Sequence, residues 1–512
     1  MNNRAEFKNR GNATSAKRVL VEKITRVLID FVHETEPNDL PDSVIEKAKL
    51  VFLDSVGCSV AAHSTQSGKI CMDLVADQGG RAEATIIGGG RTSCKNAAFV
   101  NGILINALEF DSNLTSLTHV APYVIPACLA GAERSRSNGR DFLTACVLSF
   151  DIAARIGSSI QPDRYVTGKH PDISLAFNPR FSYAPAVFGA TLGVCKLLGL
   201  SADQMANAFG YAGSNSPIPT MTRWISKPHS SHNKYGTSTG WVAELAVTAA
   251  LLAQKGFTAD QDILDGDYGY STLIGSDMWE PERAIRDLGK KWFIEESRFK
   301  PYPVCSLFFY GIDCLRKIMT MHNLQPDEIQ SVIVKADPSL QQNVWINSEI
   351  NDYLDAQFSN QFVYALAVYY GHEPRLKWQS KEALEDPRVR EFMRRVTVVE
   401  KEDFLVQLYK GISEGNPRPK SSGSMVEVKA RNKIFKEEEE YAWGSTQNPM
   451  SSEDIIEKFK ANCMGNREVN TEAIRRIVDR TISLDTCEDM TEYTQSLTES
   501  SLLGTTRRDD NL

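Results

Sequence analysis

Three segments of this chain are apolar on nearly every face of a helix, and no other feature limits the fold as strongly. They are GRDFLTACVLSFDIAARIGSSI (139–160), AVFGATLGVCKLLGL (186–200) and GWVAELAVTAALLAQKGF (240–257), all rich in Ala, Leu and Val. A helix without a polar face must be covered on all sides. The three segments therefore predict helices in the middle of a large helical bundle.

The pattern of apolar residues changes near residue 297, from helical periodicity to an alternation of β-branched residues. Strands are predicted for SVIVKAD (331–337), RVTVVE (395–400) and MVEVKARNKIFKEEEEY (425–441). Helices are predicted for QFVYALAVYYG (361–371), DPRVREFMRR (386–395) and SSEDIIEKFKANC (451–463), the last of which opens with Ser and acidic residues. These patterns indicate an α+β insertion in a helical chain.

We therefore predict a mainly α fold, with a large all-helical domain built from two sequence segments and a smaller α+β lid domain. The predicted parts are a flexible N-terminal tail (1–19), the first helical segment (20–296), the lid (297–443), the second helical segment (444–490) and a flexible C-terminal tail (491–512). Because ligand pockets often form where two domains meet, we expect the functional site between the helical domain and the lid.

The overall charge limits the classes of partner. The formal net charge is −8 at pH 7, from 57 Lys and Arg against 65 Asp and Glu. Nucleic acids and anionic membranes require a basic surface, so we expect neither as a partner. No apolar run reaches about 18 residues without a polar interruption, and no transmembrane helix is predicted.

The cysteines and the absence of common motifs indicate the cellular environment of the protein and the kinds of site it lacks. The ten cysteines include no CxxC pair and mostly lie within apolar runs, which is typical of reduced thiols in an intracellular protein. The basic N-terminal residues leave a cytoplasmic or a mitochondrial location open. The chain has no P-loop, HExxH or GxSxG motif, and His229 and His232 have no third ligand nearby. Neither a metal nor a cofactor is predicted.

A polar cluster interrupts two apolar stretches. The segment ALEFDSNLTSLTH (107–119) brings the carboxylates of Glu109 and Asp111 close to Asn113 and His119 in the sequence. Taken alone, this pattern fits a polar capping loop as well as it fits a site.

A second informative segment has a local excess of positive charge. No acidic residue occurs between Asp203 and Glu244, although the whole chain is acidic. Within this interval, RWISKPHSSHNKYGTSTGW (223–241) contains Lys234 and leads into a buried helix, whose N-terminal amides favour an anion. The segment indicates an anion-binding loop, with a solvated basic loop as the alternative.

The third segment, RFKPYPVCSLFFYGID (298–313), lies at the change from helical to α+β texture. Two prolines fix the backbone around Lys300 and Cys305. A lysine held rigidly between two domains is suited to bind a carboxylate. A hinge with a surface lysine is the alternative.

Six ordered blocks carry a resemblance to a known family. They are AKLVFLDSVGCSVAA (48–62), ATIIGGGRTSCKNAAFVNGILINALEFD (84–111), KYGTSTGWVAELAVTAALLAQKGFT (234–258), KPYPVC (300–305), DAQFSNQFVYALA (355–367) and NPMSSEDIIEKF (448–459). Through them the chain resembles the MmgE/PrpD family, which includes 2-methylcitrate dehydratases and cis-aconitate decarboxylases. The resemblance implies a large helical domain with a smaller lid, a homodimer, and a cofactor-free lyase for a small tricarboxylate.

The resemblance also implies site residues. The family places an acidic residue, a polar residue and a histidine in the first of the three segments, where they fall on Glu109 or Asp111, on Asn113 and on His119. It places one pocket lysine at Lys234 and a lid lysine at Lys300.

The chain departs from the family pattern at several positions. Decarboxylases carry histidines where this chain has Asn178 and Cys305, and a pocket tyrosine where it has Phe362. Dehydratase-like relatives often have a CRxTH pattern, where this chain has Ser306 and Phe309. The apolar replacements predict a pocket wall that accepts an alkyl chain longer than methyl. The alternative is that these aromatic side chains only pack the lid.

The leading hypothesis is a dehydratase that converts a 2-alkylcitrate or 2-methylcitrate into the alkyl-aconitate, as in secondary-metabolite pathways to maleic anhydrides. His119 would transfer the proton, with Asp111 or Glu109 orienting it or holding it charged. Lys234 and Lys300 would neutralise charge as it develops, and two close carboxylates would raise one carboxyl pKa. The alternatives are a decarboxylase of cis-aconitate or a related tricarboxylate, and a non-catalytic family member that binds a carboxylate.

Overall fold

The computed structural model of the protein describes residues 23–114, 119–160, 164–167, 174–177, 182–227, 231–276, 279–373, 375–413, 423–465, 470–498 and 502. The predicted N-terminal tail (1–19) and the candidate site residue Asn178 lie outside the described residues.

Helices dominate the described part of the chain and bear out the predicted mainly α class. They are α1 (Ile24–Glu34), α2 (Asp42–Ala62), α3 (Gln66–Gln78), α4 (Cys94–Ala107), α5 (Ala121–Ser135), α6 (Gly139–Ile160), α7 (Ala186–Leu197), α8 (Ala202–Ser214), α9 (Met221–Ile225), α10 (Thr239–Gln254), α11 (Tyr270–Leu273), α12 (Pro281–Ile285), α13 (Phe309–Met321), α14 (Tyr353–Ala356), α15 (Asn360–Tyr370), α16 (Lys381–Glu385), α17 (Pro387–Phe392), α18 (Phe404–Ser413), α19 (Ser452–Met464), α20 (Thr471–Ile482) and α21 (Met490–Gln495).

Capping residues account for the starts of the helices that matter for the site. Helix α4 begins after Ser93 and α10 after Ser238, and each serine hydroxyl accepts a hydrogen bond from a first-turn amide. Helix α19 begins with a capping box, in which Ser451 and Asp454 each accept a hydrogen bond from the other's backbone N–H. Local sequence therefore sets where these helices start.

The three all-apolar helices lie in the core, as predicted. Helix α6 is buried continuously from Phe142 to Ile160. It has the length and composition of a membrane-crossing helix, but it is enclosed by the rest of the protein. Helices α6 and α7 approach so closely that a Cβ added at Gly189 would lie 2.1 Å from the carbonyl oxygen of Ser149. The small residues in these helices therefore permit close helix packing.

A four-stranded sheet occupies the region predicted to be α+β. Its strands are β5 (Ile329–Ala336), β6 (Val396–Glu400), β7 (Ser424–Ala430) and β8 (Lys433–Glu439), in the order β6-β5-β7-β8. Strands β5 and β6 are parallel, whereas the β5–β7 and β7–β8 pairs are antiparallel. Helix α13 packs against β7 and β8, and α15 packs against β6. The strands predicted here are confirmed.

Two short antiparallel hairpins also lie within the first helical segment. They are β1 (Ala84–Thr85) with β2 (Arg91–Thr92) and β3 (Arg164–Thr167) with β4 (Ser174–Phe177). Strands of two to four residues are too short to produce a recognisable alternation, which is why the sequence did not indicate them.

The C-terminal part of the chain folds back onto the helical core. Helix α19 packs against α2, where a Cβ at Gly57 would meet the Phe459 ring at 3.1 Å. Beyond α20, Tyr493 and Leu497 are fully buried, and the Tyr493 ring lies 5.7 Å from that of Phe52. The prediction of a flexible tail from residue 491 is therefore wrong as far as residue 498, because these apolar side chains anchor the segment.

The α6–α7 contact yields a stability prediction. Replacing Gly189 by Ala places a methyl group against the Ser149 carbonyl, and we expect a loss of about 1–3 kcal/mol through overpacking. Gly131→Ala, in α5, is the matched control, because its Cβ would meet side chains of α7 at 3.4 Å, an ordinary contact distance. Calorimetry should show a lower unfolding temperature for Gly189→Ala alone. Equal unfolding temperatures in the two variants would contradict this packing.

Candidate active site

The candidate site is built on the C-terminal end of α4. The helix ends at Ala107, and the backbone of Glu109 then adopts the left-handed conformation, with φ of 53°. For an L-residue with a long side chain this conformation costs roughly 1–2 kcal/mol. The strained turn brings both Glu109 and Asp111 beside His119. Strain of this kind persists only where the surroundings hold it.

Side chains from distant segments satisfy the carbonyl groups at this helix end. A helix C-terminus leaves its last carbonyls without intrahelical partners, and here five consecutive carbonyls accept bonds from side chains. The pairs are Lys234 Nζ with Asn106 O, Gln357 Nε2 with Ala107 O (2.9 Å), Gln379 Nε2 with Leu108 O (2.8 Å), Lys300 Nζ with Glu109 O (2.9 Å) and Lys458 Nζ with Phe110 O (2.6 Å). Three of the donors are lysines, as the partial negative charge of a helix C-terminus favours.

The Glu109 carboxylate binds both candidate lysines. Its Oε1 lies 2.7 Å from Lys300 Nζ, and its Oε2 lies 3.1 Å from Lys234 Nζ and also accepts a hydrogen bond from the Tyr235 hydroxyl. His119 Nε2 is 3.5 Å from Oε1. One carboxylate therefore joins two lysines, a phenol and an imidazole from separate parts of the chain.

The imidazole of His119 lies between two carboxylates. Its Nδ1 is 2.8 Å from Asp111 Oδ2, while its Nε2 faces Glu109. The Asn106 amide donates to the other Asp111 oxygen at 3.0 Å and so fixes the orientation of that carboxylate. Only a doubly protonated imidazole can donate from both nitrogens, and this geometry therefore suits the imidazolium form.

These charged groups are buried, and their pKa values reflect both burial and pairing. The five side chains of Glu109, Asp111, His119, Lys234 and Lys300 are between 0% and 4% exposed. Burial opposes ionisation of both carboxyls, but Lys300, Lys234 and His119 outweigh it and hold the pKa of Glu109 well below its usual range. The pKa of Asp111 is likewise lowered, chiefly by His119 against the effect of burial. The prediction that their proximity raises one carboxyl pKa is wrong, because the cations dominate.

The two basic groups shift in opposite directions. Burial lowers the pKa of His119, but Asp111 and Glu109 outweigh it, and the net pKa lies above the usual value. For Lys234, burial exceeds the attraction of the same carboxylates, and its pKa falls below that of a free lysine. The pairing therefore favours the protonated form of the imidazole and makes both carboxylates weaker bases.

The loop that carries Lys234 is a strained turn. Tyr235 and Gly236 follow each other in the left-handed conformation, with φ of 59° and 67°. A Cβ at Gly236 would lie 2.1 Å from the hydroxyl oxygen of Thr220, so glycine is required there. The turn stacks the Tyr235 ring on the imidazole of His119 at 4.7 Å. The predicted basic loop thus places Lys234 inside the protein rather than at the surface.

The segment that carries Lys300 is joined to the helical core by backbone pairing. The N–H and C=O groups of Asn113 and Arg298 bond each other at 2.8 Å in both directions. The Asn113 amide also reaches the Ser306 hydroxyl at 3.4 Å. Asn113 therefore lies at the boundary of the site, next to His119, with which it forms a second backbone bridge.

The remaining predicted residues lie at the edge of the site or away from it. The buried thiol of Cys305 has a pKa raised to about 11 by burial and by the nearby Glu109, and its N–H bonds Gln357 O at 3.0 Å. The Phe362 ring instead packs under the Arg390 guanidinium, whose Cζ lies 5.4 Å from its centroid. The Phe309 ring packs edge to face on the Tyr302 ring, with centroids 5.5 Å apart. These contacts favour the interpretation that the aromatics pack the lid.

Four further site residues were not predicted from the sequence. Tyr235 follows Lys234 directly, and Gln357, Gln379 and Lys458 complete the ring of donors around the end of α4. Gln357 and Lys458 lie inside the blocks that resemble the family, which was the available signal. An amide or a lysine in such a block has no local feature that indicates which distant backbone it will bind.

The position of His119 between two carboxylates predicts its titration. We expect the His119 imidazole to titrate above 6.5, because both neighbouring carboxylates stabilise its charged form. Asp111→Asn removes the partner on Nδ1 and should lower that pKa. Histidine NMR signals, with those of His119 identified by their loss in His119→Gln, provide the measurement. An unchanged pKa in Asp111→Asn would show that the pairing does not govern the imidazole.

Comparison with known proteins places the chain beside characterised enzymes. It is 25% identical over 503 residues to the cis-aconitate decarboxylase of Aspergillus terreus, covering 93% of this chain and 96% of that protein. It is 24% identical to the human cis-aconitate decarboxylase, covering 92% and 95%, and 23% identical to the cis-aconitate decarboxylase-like protein oryM of Aspergillus oryzae, covering 92% and 96%.

The family models match most of the chain. The MmgE/PrpD N-terminal domain matches residues 26–281, which include the turn of Glu109 and the Lys234 loop, and the MmgE/PrpD C-terminal domain matches residues 302–484. The two matches flank Lys300, which lies between them in the sequence. These matches show that the chain belongs to the MmgE/PrpD family, and two of the relatives named above are cis-aconitate decarboxylases.

Proposed function

We propose that the chain is a carboxy-lyase that decarboxylates an unsaturated tricarboxylate of the cis-aconitate type. The observation that carries this proposal is the convergence of two buried lysines on one carboxylate beside a carboxylate-paired histidine. Lys234 and Lys300 lie 3.1 Å and 2.7 Å from the oxygens of Glu109. Groups that bind one carboxylate this closely have the geometry and charge to bind those of a substrate.

Two lysines in a buried site can stabilise the charge that develops during the reaction. In a water-excluded site, each well-placed donor is worth about 3–4 kcal/mol of transition-state stabilisation. During decarboxylation, the bond between carbon and one carboxylate breaks, CO₂ leaves, and the electron pair delocalises into the unsaturated acid. The lysines would hold the remaining carboxylates and neutralise this charge.

The protonation states favour decarboxylation over dehydration. After loss of CO₂, the carbon that gained the electron pair takes a proton, and the imidazolium of His119 is the acid in place to donate it. Dehydration of a citrate also needs a base for a very weakly acidic C–H. Glu109 and Asp111, whose pKa values are lowered, are poor bases for that step.

Dehydration of a 2-alkylcitrate or 2-methylcitrate is the second candidate. It is favoured by Cys305, which stands where the decarboxylase resemblance implies a histidine. A thiol whose pKa is raised to about 11 does not replace a histidine as a proton carrier at neutral pH. Phe309 and Phe362 contact lid residues, and these contacts do not favour a substrate with a long alkyl chain over 2-methylcitrate.

Product analysis separates these functions. Purified protein is incubated with ¹³C-labelled cis-aconitate, 2-methylcitrate and a longer alkylcitrate, and products are followed by NMR and mass spectrometry. Release of labelled CO₂ from cis-aconitate, at a rate that falls as pH rises through the pKa of His119, is the expected result. Loss of water from an alkylcitrate without CO₂ release would establish the second candidate. Saturable binding without turnover would indicate a non-catalytic carboxylate-binding protein.

Tyr235 provides a sharper test of the Glu109 cluster. Tyr235→Phe keeps the ring stacked on His119 but removes the hydroxyl bond to the Glu109 carboxylate. Because a hydrogen bond to a charged group contributes about 1.5–3 kcal/mol, kcat/KM should fall by roughly 10- to 100-fold.

The control for this variant is Tyr123→Phe. Tyr123 is also fully buried, but among the described residues its hydroxyl donates to a backbone carbonyl, that of Thr237 at 3.4 Å, and not to a carboxylate. We expect its kcat/KM to stay near that of the wild type. Equal losses in both variants would mean that the hydroxyl of Tyr235 has no specific role.

A further inference from the structure

A second buried ion pair lies behind the turn that carries Glu109. Lys458 Nζ on α19 lies 2.7 Å from Asp54 Oδ1 on α2, and the two side chains are 5% and 1% exposed. Neither residue is among the described side chains that pair with the imidazole of His119 or with the Glu109 carboxylate. The pair joins two helices that are far apart in the sequence, at the place where α19 packs on α2.

Lys458 also bonds the backbone between the two site carboxylates. Its Nζ donates to the carbonyl oxygen of Phe110 at 2.6 Å and lies 3.9 Å from the centroid of the Phe110 ring. Phe110 is the single residue between Glu109 and Asp111. A displacement of its peptide group would therefore shift both carboxylates, and with them the hydrogen bond to His119.

The ion pair with Asp54 does not by itself explain why a lysine is buried at position 458. Replacing a buried ion pair by apolar residues of similar size is often neutral for stability, because desolvation offsets the attraction. What distinguishes Lys458 is its bond to the carbonyl of Phe110, because the preceding residue, Glu109, is held at a φ of 53°. A strained turn of this kind needs such external bonds to keep one conformation.

We propose that Lys458 is a positioning residue for the active site, with Asp54 as its buried ion-pair partner. It holds the Phe110 carbonyl so that Glu109 faces the two pocket lysines and Asp111 faces His119. It does not contact the substrate. The kinetic part of this inference rests on the proposed lyase function, whereas its effect on His119 does not.

The kinetic test compares two lysines of the same helix. Lys458→Met should lower kcat by about 100-fold with little change in KM, because misplacement of reacting groups by about 1 Å costs that much. Lys460→Met is the matched control: Lys460 lies two residues further on α19 and forms an exposed ion pair with Glu457 at 2.8 Å. The control should retain wild-type kcat and KM.

A double variant separates positioning from stability. Lys458→Met leaves Asp54 buried without its partner and should lower the unfolding temperature. Asp54→Asn/Lys458→Met removes both charges and should recover much of that temperature, but not kcat, because the Phe110 carbonyl still lacks its donor. Recovery of both quantities would overturn the proposal and leave Lys458 a purely structural role.

The titration of His119 gives a readout that does not need turnover. In Lys458→Met, or in the double variant if the single one does not fold, the NMR-detected pKa of His119 should fall toward 6.5, while Lys460→Met leaves it unchanged. An unaltered His119 pKa together with wild-type kcat would overturn the proposal. If the wild type turns over none of the substrates, the proposed function fails, and the shift of the His119 pKa alone decides whether Lys458 positions the turn.

Discussion

The site depends on one unmet requirement, the hydrogen-bonding capacity of the carbonyl groups at the C-terminal end of α4. These carbonyls and those of the turn that follows are buried, and side chains from four later positions of the chain bond them in place of water. Because the helix end carries partial negative charge, lysines are favoured partners. Lys234 bonds a carbonyl of α4 itself, and Lys300 and Lys458 bond the turn that follows it. These bonds therefore gather the cations of the site and fasten the lid segment to the helical core.

The two pocket lysines take part both in the packing of the fold and in the charge cluster of the site. Lys234 and Lys300 each bind a backbone carbonyl and also the carboxylate of Glu109, so each is held at two points before any substrate arrives. Side chains fixed in this way lose little entropy on binding and are preorganised for charge that develops later. The cost is a set of buried charges, and Glu109 offsets part of it by pairing with both lysines. A carboxylate ligand that bound these lysines would therefore compete with Glu109 for the same cations.

Several features were predictable because their signals are local. Apolar helices with no polar face, the β-branched alternation of β5 to β7 and the capping box of α19 depend on residues close in the sequence. The cluster of Glu109, Asp111 and His119 and the two lysines were also found, with the resemblance to the family linking segments that are far apart. The flexible tail was mispredicted from residue 491, because a few apolar side chains such as Tyr493 and Leu497 suffice to anchor a polar segment.

The sequence by itself determined the helical class, the position of the α+β insertion and the residue types able to hold a carboxylate and move a proton. Only the tertiary structure decided which of these side chains meet. It placed Tyr235 on His119 and Lys458 behind Phe110, and it turned Phe362 toward Arg390. It also showed that the carboxyl pKa values of Glu109 and Asp111 are lowered and that neither is raised, since the direction of the shift depends on which charges lie within a few ångströms. The physical reason is that hydrogen bonds and charge pairing act over distances in space, which the order of residues along the chain does not specify.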